Sequence, residues 1–173
     1  HCRDKIRKLW VSSPDDNLEL LKKDWSKARC SFLYFAGTGW VHKGLDLVVE
    51  AFLREPGLTL HIAASEVGNN SEFHRIYGRE VEAAGNIIVH GFMNVHSPQF
   101  YDLTASCVAL INPSCFENGA AAVVHCMHHG LLPLVTPTVG LDLHNVLPPV
   151  DGQTDVELIN SIRSRCREIS QMG

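Results

Sequence analysis

Short apolar runs alternate along this chain with longer stretches in which apolar residues recur every three or four positions. The runs "CSFLYFAG" (residues 30–37), "LTLHIAA" (58–64), "NIIVHGF" (86–92), "CVALIN" (107–112) and "LPLVT" (132–136) have the length and content of strands buried on both faces. Helical spacing fills the intervals. "GLDLVVEAFLRE" (44–55) places Leu45, Val48, Val49 and Phe52 on one face, and Pro56-Gly57 ends it. Residues 71–84 form a second helix stopped by Gly85, Ser97-Pro98 opens a short one to about Ala105, and residues 119–129 form another. "DVELINSIRSRCREI" (155–169) is a terminal amphipathic helix. An earlier helix starts at Ser13, whose hydroxyl caps it ahead of Pro14, Asp15 and Asp16, and runs to about Ala28.

Strands buried on both faces and separated by helices pair in parallel through right-handed crossovers. The pattern therefore predicts an α/β fold, a doubly wound parallel Rossmann-like sheet with helices on both faces. Residues 1–29 form an N-terminal segment and helix, packed as one domain with the sheet of residues 30–173. Ligands bind such sheets beyond the carboxyl ends of the strands. The turns after strands one, three and four are the places to look for chemistry.

Composition narrows the classes. At 173 residues the chain buries roughly 70% of its unfolded surface. Hydrophobic residues make up 45% and charged ones 20%, as in a globular protein rather than a disordered one. The net charge is −4 and no stripe of Lys and Arg stands out, which argues against nucleic acid as a partner. Lys5, Arg7 and Lys8 read as a solvated face. Apolar runs fall far short of the about 20 residues that cross a bilayer. The start, "HCRDKIRKLW", has neither an initiator Met nor an apolar signal segment, as expected of a fragment or processed product. Six cysteines form no C-x-x-C pair and several sit in apolar runs, which points to a reducing, cytoplasmic setting.

Two turns carry candidate chemistry. In "FAGTGWVHKG" (35–44), Gly37 and Gly39 allow a sharp turn and close approach of a ligand. Lys43 stands just before a helix start, where free N–H groups favour anions. The spacing is neither that of a P-loop nor G-x-G-x-x-G, so a plain glycine turn with a solvated lysine is the competing reading. In "PSCFENGAAAVVHCMHHG" (113–130), Glu117 lies where a ligand would rest. It either accepts from sugar hydroxyls or caps its own helix. His125, His128, His129 and Cys126 have the chemistry of metal ligands, with Cys115 or His90 as further candidates, but no H-x-x-E or C-x-x-C supports a metal. A polar helix lining a cleft is the plainer account of them, and no metal site is expected.

Together these turns resemble the C-terminal, donor-binding domain of GT-B-fold retaining glycosyltransferases, over about residues 30–140. "GTGWVHKG" is similar to that family's G-R-x-x-x-x-K-G turn, and residues 113–133 to its PSxxE…E-A-M-x-x-G-x-P segment. The stretch between, "IIVHGFMNVHSPQFYDLTASCVALINPS", fits the family pattern in order and spacing. The resemblance implies a nucleoside-diphosphate sugar as ligand and substrate, with no cofactor and no bound metal. Lys43 would hold the diphosphate, with Gly37, Thr38 and Gly39 beside it. Glu117 would contact the transferred sugar and be the catalytic residue. Backbone at Gly119, Ala120 and Ala121 would meet phosphates or sugar. Gly91, Phe92 and Met93 would line the base pocket, with His125 at the ribose. A separate N-terminal domain would supply the acceptor, and any peripheral membrane association would run through that domain.

This sequence departs from the family pattern at two positions. Thr38 stands where the family has arginine, and His125 where it has the second glutamate of E-x7-E. Loss of a charge-assisted contact costs about 1.5–3 kcal/mol. A degenerate, non-catalytic structural or interaction domain is therefore the alternative expectation.

Overall fold

The five apolar runs become one parallel sheet, with helices packed on both of its faces. The computed structural model describes residues 23–117, 120–141 and 149–172. Its strands are β1 (Ser31–Ala36), β2 (Thr59–Ala64), β3 (Ile87–Val89), β4 (Ala109–Asn112) and β5 (Leu132–Val135). They lie in the order β3-β2-β1-β4-β5, with every neighbouring pair parallel. The helices are α1 (Trp25–Ala28), α2 (Leu45–Phe52), α3 (Glu72–Ala84), α4 (Pro98–Ser106), α5 (Ala121–His128) and α6 (Asp155–Gln171). This is the predicted doubly wound α/β sheet.

Alternate residues of each strand serve opposite faces. Phe32 and Tyr34 of β1 pack with Leu60, Ile62 and Ile111 against Val48, Phe52, Phe73 and Ile162 from α2, α3 and α6. Leu33, Ala63 and Leu110 point the other way, to Phe100, Leu103 and Val123 from α4 and α5. Each fully buried Phe or Leu contributes about 2 kcal/mol. Glu55, just past α2, ties down α6. It accepts from Arg163 Nε at 2.6 Å and from Arg167 Nε at 2.8 Å. Burial pushes this carboxyl upward, but the two guanidinium groups outweigh it and hold the carboxyl below the usual range.

The termini of three helices follow directly from sequence. Ser71 Oγ accepts from the His74 amide, and Ser97 Oγ from the Phe100 amide with Pro98 next in line. Thr154 and Glu157 complete a reciprocal capping box at α6.

Three expectations need correction or fall outside. The helix expected to run on from Ser13 to Ala28 is, in its described part, a short one that starts after Asp24, which is extended and caps it with its side chain. Ser13, Pro14, Asp15, Asp16 and the basic residues Lys5, Arg7 and Lys8 lie outside the described residues, as does Gly119. The third strand stops at Val89, since Gly91 turns left-handed with φ 73°. That strand is also an edge strand with Ile88 and Val89 exposed, not one buried on both faces.

Candidate functional site

The chain crosses to opposite sides as it leaves β1 and β4, neighbours at the centre of the sheet. The turns following these strands therefore meet where strand order reverses, the position at which the crevice of such sheets lies.

The first turn winds tightly on itself. Gly39 has φ 82°, and the amides of Lys43, Gly44 and Leu45 donate to the carbonyls of Gly39, Val41 and Trp40 at 3.0, 2.9 and 2.9 Å. Trp40 anchors the turn by edge contacts with Phe73 and Tyr77. The amides of residues 43–45 are therefore engaged inside the turn, contrary to the free helix start expected beside Lys43. Gly44 begins α2 at φ 71°, and a Cβ there would sit 2.7 Å from the Pro113 carbonyl oxygen. Only glycine allows that approach. Asp46, in the first turn of α2, is half-buried, and burial pushes its carboxyl upward.

The second turn is fastened to the first. The Cys115 amide donates to the His42 carbonyl at 3.0 Å, and His42 Nε2 donates to the Phe116 carbonyl at 2.9 Å. The hydroxyls of Thr136 and Thr138, just past β5, both donate to the Ser114 carbonyl at 2.7 Å. The Glu117 amide donates to the Thr138 carbonyl at 3.3 Å. These bonds place the Glu117 side chain on Lys43, with Nζ to Oε1 at 2.5 Å. Sequence reasoning left Glu117 between a sugar contact and a cap on its own helix. Here it is the ion-pair partner of the other candidate residue, 74 positions away.

The remaining predicted residues are arranged around this pair. Gly37 and Thr38 are exposed at the rim. Gly37 has no positive φ and open space at its Cβ, so the sharp turn rests on Gly39 rather than on both glycines. Gly37, Phe92 and Met93 line one cleft of about 270 Å³ with Phe35 and Ala64. Gly91 lines a neighbouring cleft between α3 and β3. Ala120 caps α5 in the left-handed region at φ 42°, with no side-chain hydrogen bond, and Ala121 follows it exposed.

The histidines separate. His125 is buried, with its ring 4.7 Å from His129 and 5.8 Å from Phe100, and His96 at its edge. The Thr104 hydroxyl donates to the Tyr101 carbonyl, so His129 Nδ1 carries a proton and donates to Thr104 at 3.0 Å. Cys126 lies in the apolar core, where burial pushes its thiol up, and His128 is exposed. His90 pairs instead with His61 on the sheet edge, ring nitrogens 3.0 Å apart; burial pushes His61 down to about 4. Among the described residues no three His, Cys, Asp or Glu side chains are grouped to hold a metal.

Three residues of this constellation escaped the sequence reading. Gly44 and His42 lie inside a stretch that was singled out, but their contacts with residues 113–116 leave no local pattern. Glu66 follows the carboxyl end of β2, a strand end that was passed over, and its Oε2 accepts from the Gly39 amide at 2.6 Å. Its position after a strand was the available signal.

Strand order and helices on both faces match the C-terminal half of GT-B-fold glycosyltransferases, as superposition on solved structures shows. The chain superposes on the C-terminal domain of LpcC, a glycosyl transferase group 1 family protein from Francisella tularensis, with a TM-score of 0.59 and 17% identity. That match covers 92% of this chain and 90% of the other. WaaG, a glycosyltransferase involved in lipopolysaccharide biosynthesis, matches with a TM-score of 0.60 at 17% identity over 90% of this chain and 43% of its own. The catalytic domain of starch synthase IV from Arabidopsis thaliana, bound to ADP and acarbose, gives 0.60 at 15% over 88% and 34%. At these identities the likeness is one of fold. The chain spans well under half of WaaG and of starch synthase IV. No family profile and no curated protein matches the sequence itself.

Proposed function

We propose that this chain is the nucleotide-sugar-binding half of a retaining glycosyltransferase. The observation that carries the reading is the Lys43–Glu117 pair at the strand-order reversal. In this reading Lys43 leaves Glu117 for the donor diphosphate and offsets its charge as the glycosidic bond breaks. Glu117 then faces the transferred sugar. Backbone amides at the α5 start, from Gly119 to Ala121, meet phosphate or sugar oxygens, so no resident metal or cofactor is required. Phe92 and Met93 line the base cleft beside Gly91. His125, expected at the ribose, takes no part in this reading, because it is buried against Phe100 and His129.

The acceptor comes from a second domain, through which any peripheral membrane contact would run. Val41, Phe92 and Phe116 on the surrounding loops are 54%, 77% and 65% exposed, an apolar rim suited to such a cover. The five described cysteines are free, which supports a reducing cytoplasmic setting. No described helix is long and apolar enough to cross a membrane.

A thermal-shift screen of UDP, GDP, ADP and their sugars tests this. The matching nucleotide at about 100 times its Kd stabilises the fold by about 2.7 kcal/mol, and its NMR footprint includes the amides of Lys43 and Glu117. Silence from all of them removes the reading. A second reading, a non-catalytic relative, is favoured by one observation: Glu117 already balances the charge of Lys43, with Thr38 adding none. Sugar transfer by the full-length protein excludes it.

A further inference from the structure

The glycine turn presents two outward donors to an approaching anion, the Gly39 amide and Lys43 Nζ. Each is already held by a carboxylate from a different neighbouring turn: Glu66 from beyond β2 at 2.6 Å, and Glu117 from beyond β4 at 2.5 Å. Glu117 gains a cation from its contact. Glu66 does not; among the described residues it has no ion-pair partner, and the Gly39 amide is its one hydrogen-bond donor. Its carboxylate therefore stands as a bare negative charge on the amide that a phosphate oxygen would use. Two anions cannot share that single N–H, and a carboxylate left beside a bound phosphate repels it.

We infer that Glu66 is a built-in stand-in for the donor's phosphate: it fills the Gly39 amide in the empty protein, must swing out when a diphosphate enters, and so weakens and filters diphosphate binding. This rests on the donor-binding reading above. Glu66 thereby sets a threshold that every anion must exceed, and small free anions, with few other contacts, fall below it. A full nucleotide sugar, anchored also in the cleft at Phe92 and Met93, exceeds it.

The test compares the natural chain with Glu66→Gln, which keeps the shape and removes the charge. Inorganic pyrophosphate and the nucleoside diphosphate selected by the screen are titrated into each, with the uncharged nucleoside as control. Expected is about a tenfold gain in affinity for E66Q with pyrophosphate and a similar gain with the nucleotide, and no change for the nucleoside. In the unliganded proteins the Gly39 amide resonance moves on substitution. An unmoved Gly39 amide overturns the contact itself. Equal or weaker pyrophosphate binding by E66Q, with the natural chain binding nucleotide, overturns the inference alone. Absence of binding by both proteins overturns the inference and the donor-binding reading together.

Discussion

Helices α3, α4 and α6 begin differently from α2 and α5. The first three start on Ser71, Ser97 and Thr154, extended residues whose hydroxyls take up an amide of the first turn. The two helices that flank the crevice start on Gly44 and Ala120, both left-handed and neither with a side-chain cap. A hydroxyl cap makes a helix start self-sufficient. A left-handed start without one lets the backbone turn sharply, so the chain can be fitted to a neighbouring turn or to a ligand. At Gly44 the neighbour is Pro113, in direct backbone contact. At Ala120 the left-handed backbone is a strain that residues other than Gly, Asn and Asp seldom accept. The capped starts belong to the scaffold and the uncapped ones to the candidate site.

Substitutions at these starts sharpen the contrast. The largest effect is expected at Gly44→Ala, where a new Cβ meets Pro113 and the left-handed backbone is strained as well. Urea unfolding should show a loss of about 3 kcal/mol; a loss under about 1 kcal/mol would mean that the two turns are not locked together. Thr154→Ala should cost about 1 kcal/mol by opening the capping box. Amide exchange should rise at the start of α6 alone, and nucleotide binding should stay unchanged. Ala120→Gly should act with the opposite sign, relieving the left-handed alanine for a gain of up to about 1 kcal/mol. If it also weakens nucleotide binding, the strain serves to hold the α5 start in place.

Most of the sheet was legible because each strand announces itself locally. "CSFLYFAG" and "CVALIN" needed no partner to be read as buried strands, and Ser71, Ser97 and Asp155 marked helix starts within a residue or so. The boundaries that moved had local causes, such as Gly91 ending β3 and Asp24 capping the start of α1. The site was legible only in its parts. Lys43 and Glu117 each stood out in its own turn, yet their pairing depends on β1 and β4 being adjacent, and a one-dimensional pattern carries no such information. Gly44 reads locally as a helix boundary, and its contact with Pro113 emerges only in three dimensions. Glu66 has no motif around it, and its role comes from an amide 27 positions away. His125 shows the converse: a position singled out by motif spacing proves to pack among Phe100, His129 and His96.

The contact between Gly44 and Pro113 also bears on how the molecule folds. β1 pairs with β2 and with β4, and Phe32 meets Ala109 only after the intervening helices have been threaded across. Such distant pairing carries a larger loop-closure penalty than the β1–β2 pairing. A nascent chain that has emerged only through α4 already holds β1, the glycine turn and Lys43. It has neither the proline that wedges that turn nor the glutamate that pairs with the lysine. The crevice is complete only once β4 pairs with β1 at the centre of the sheet.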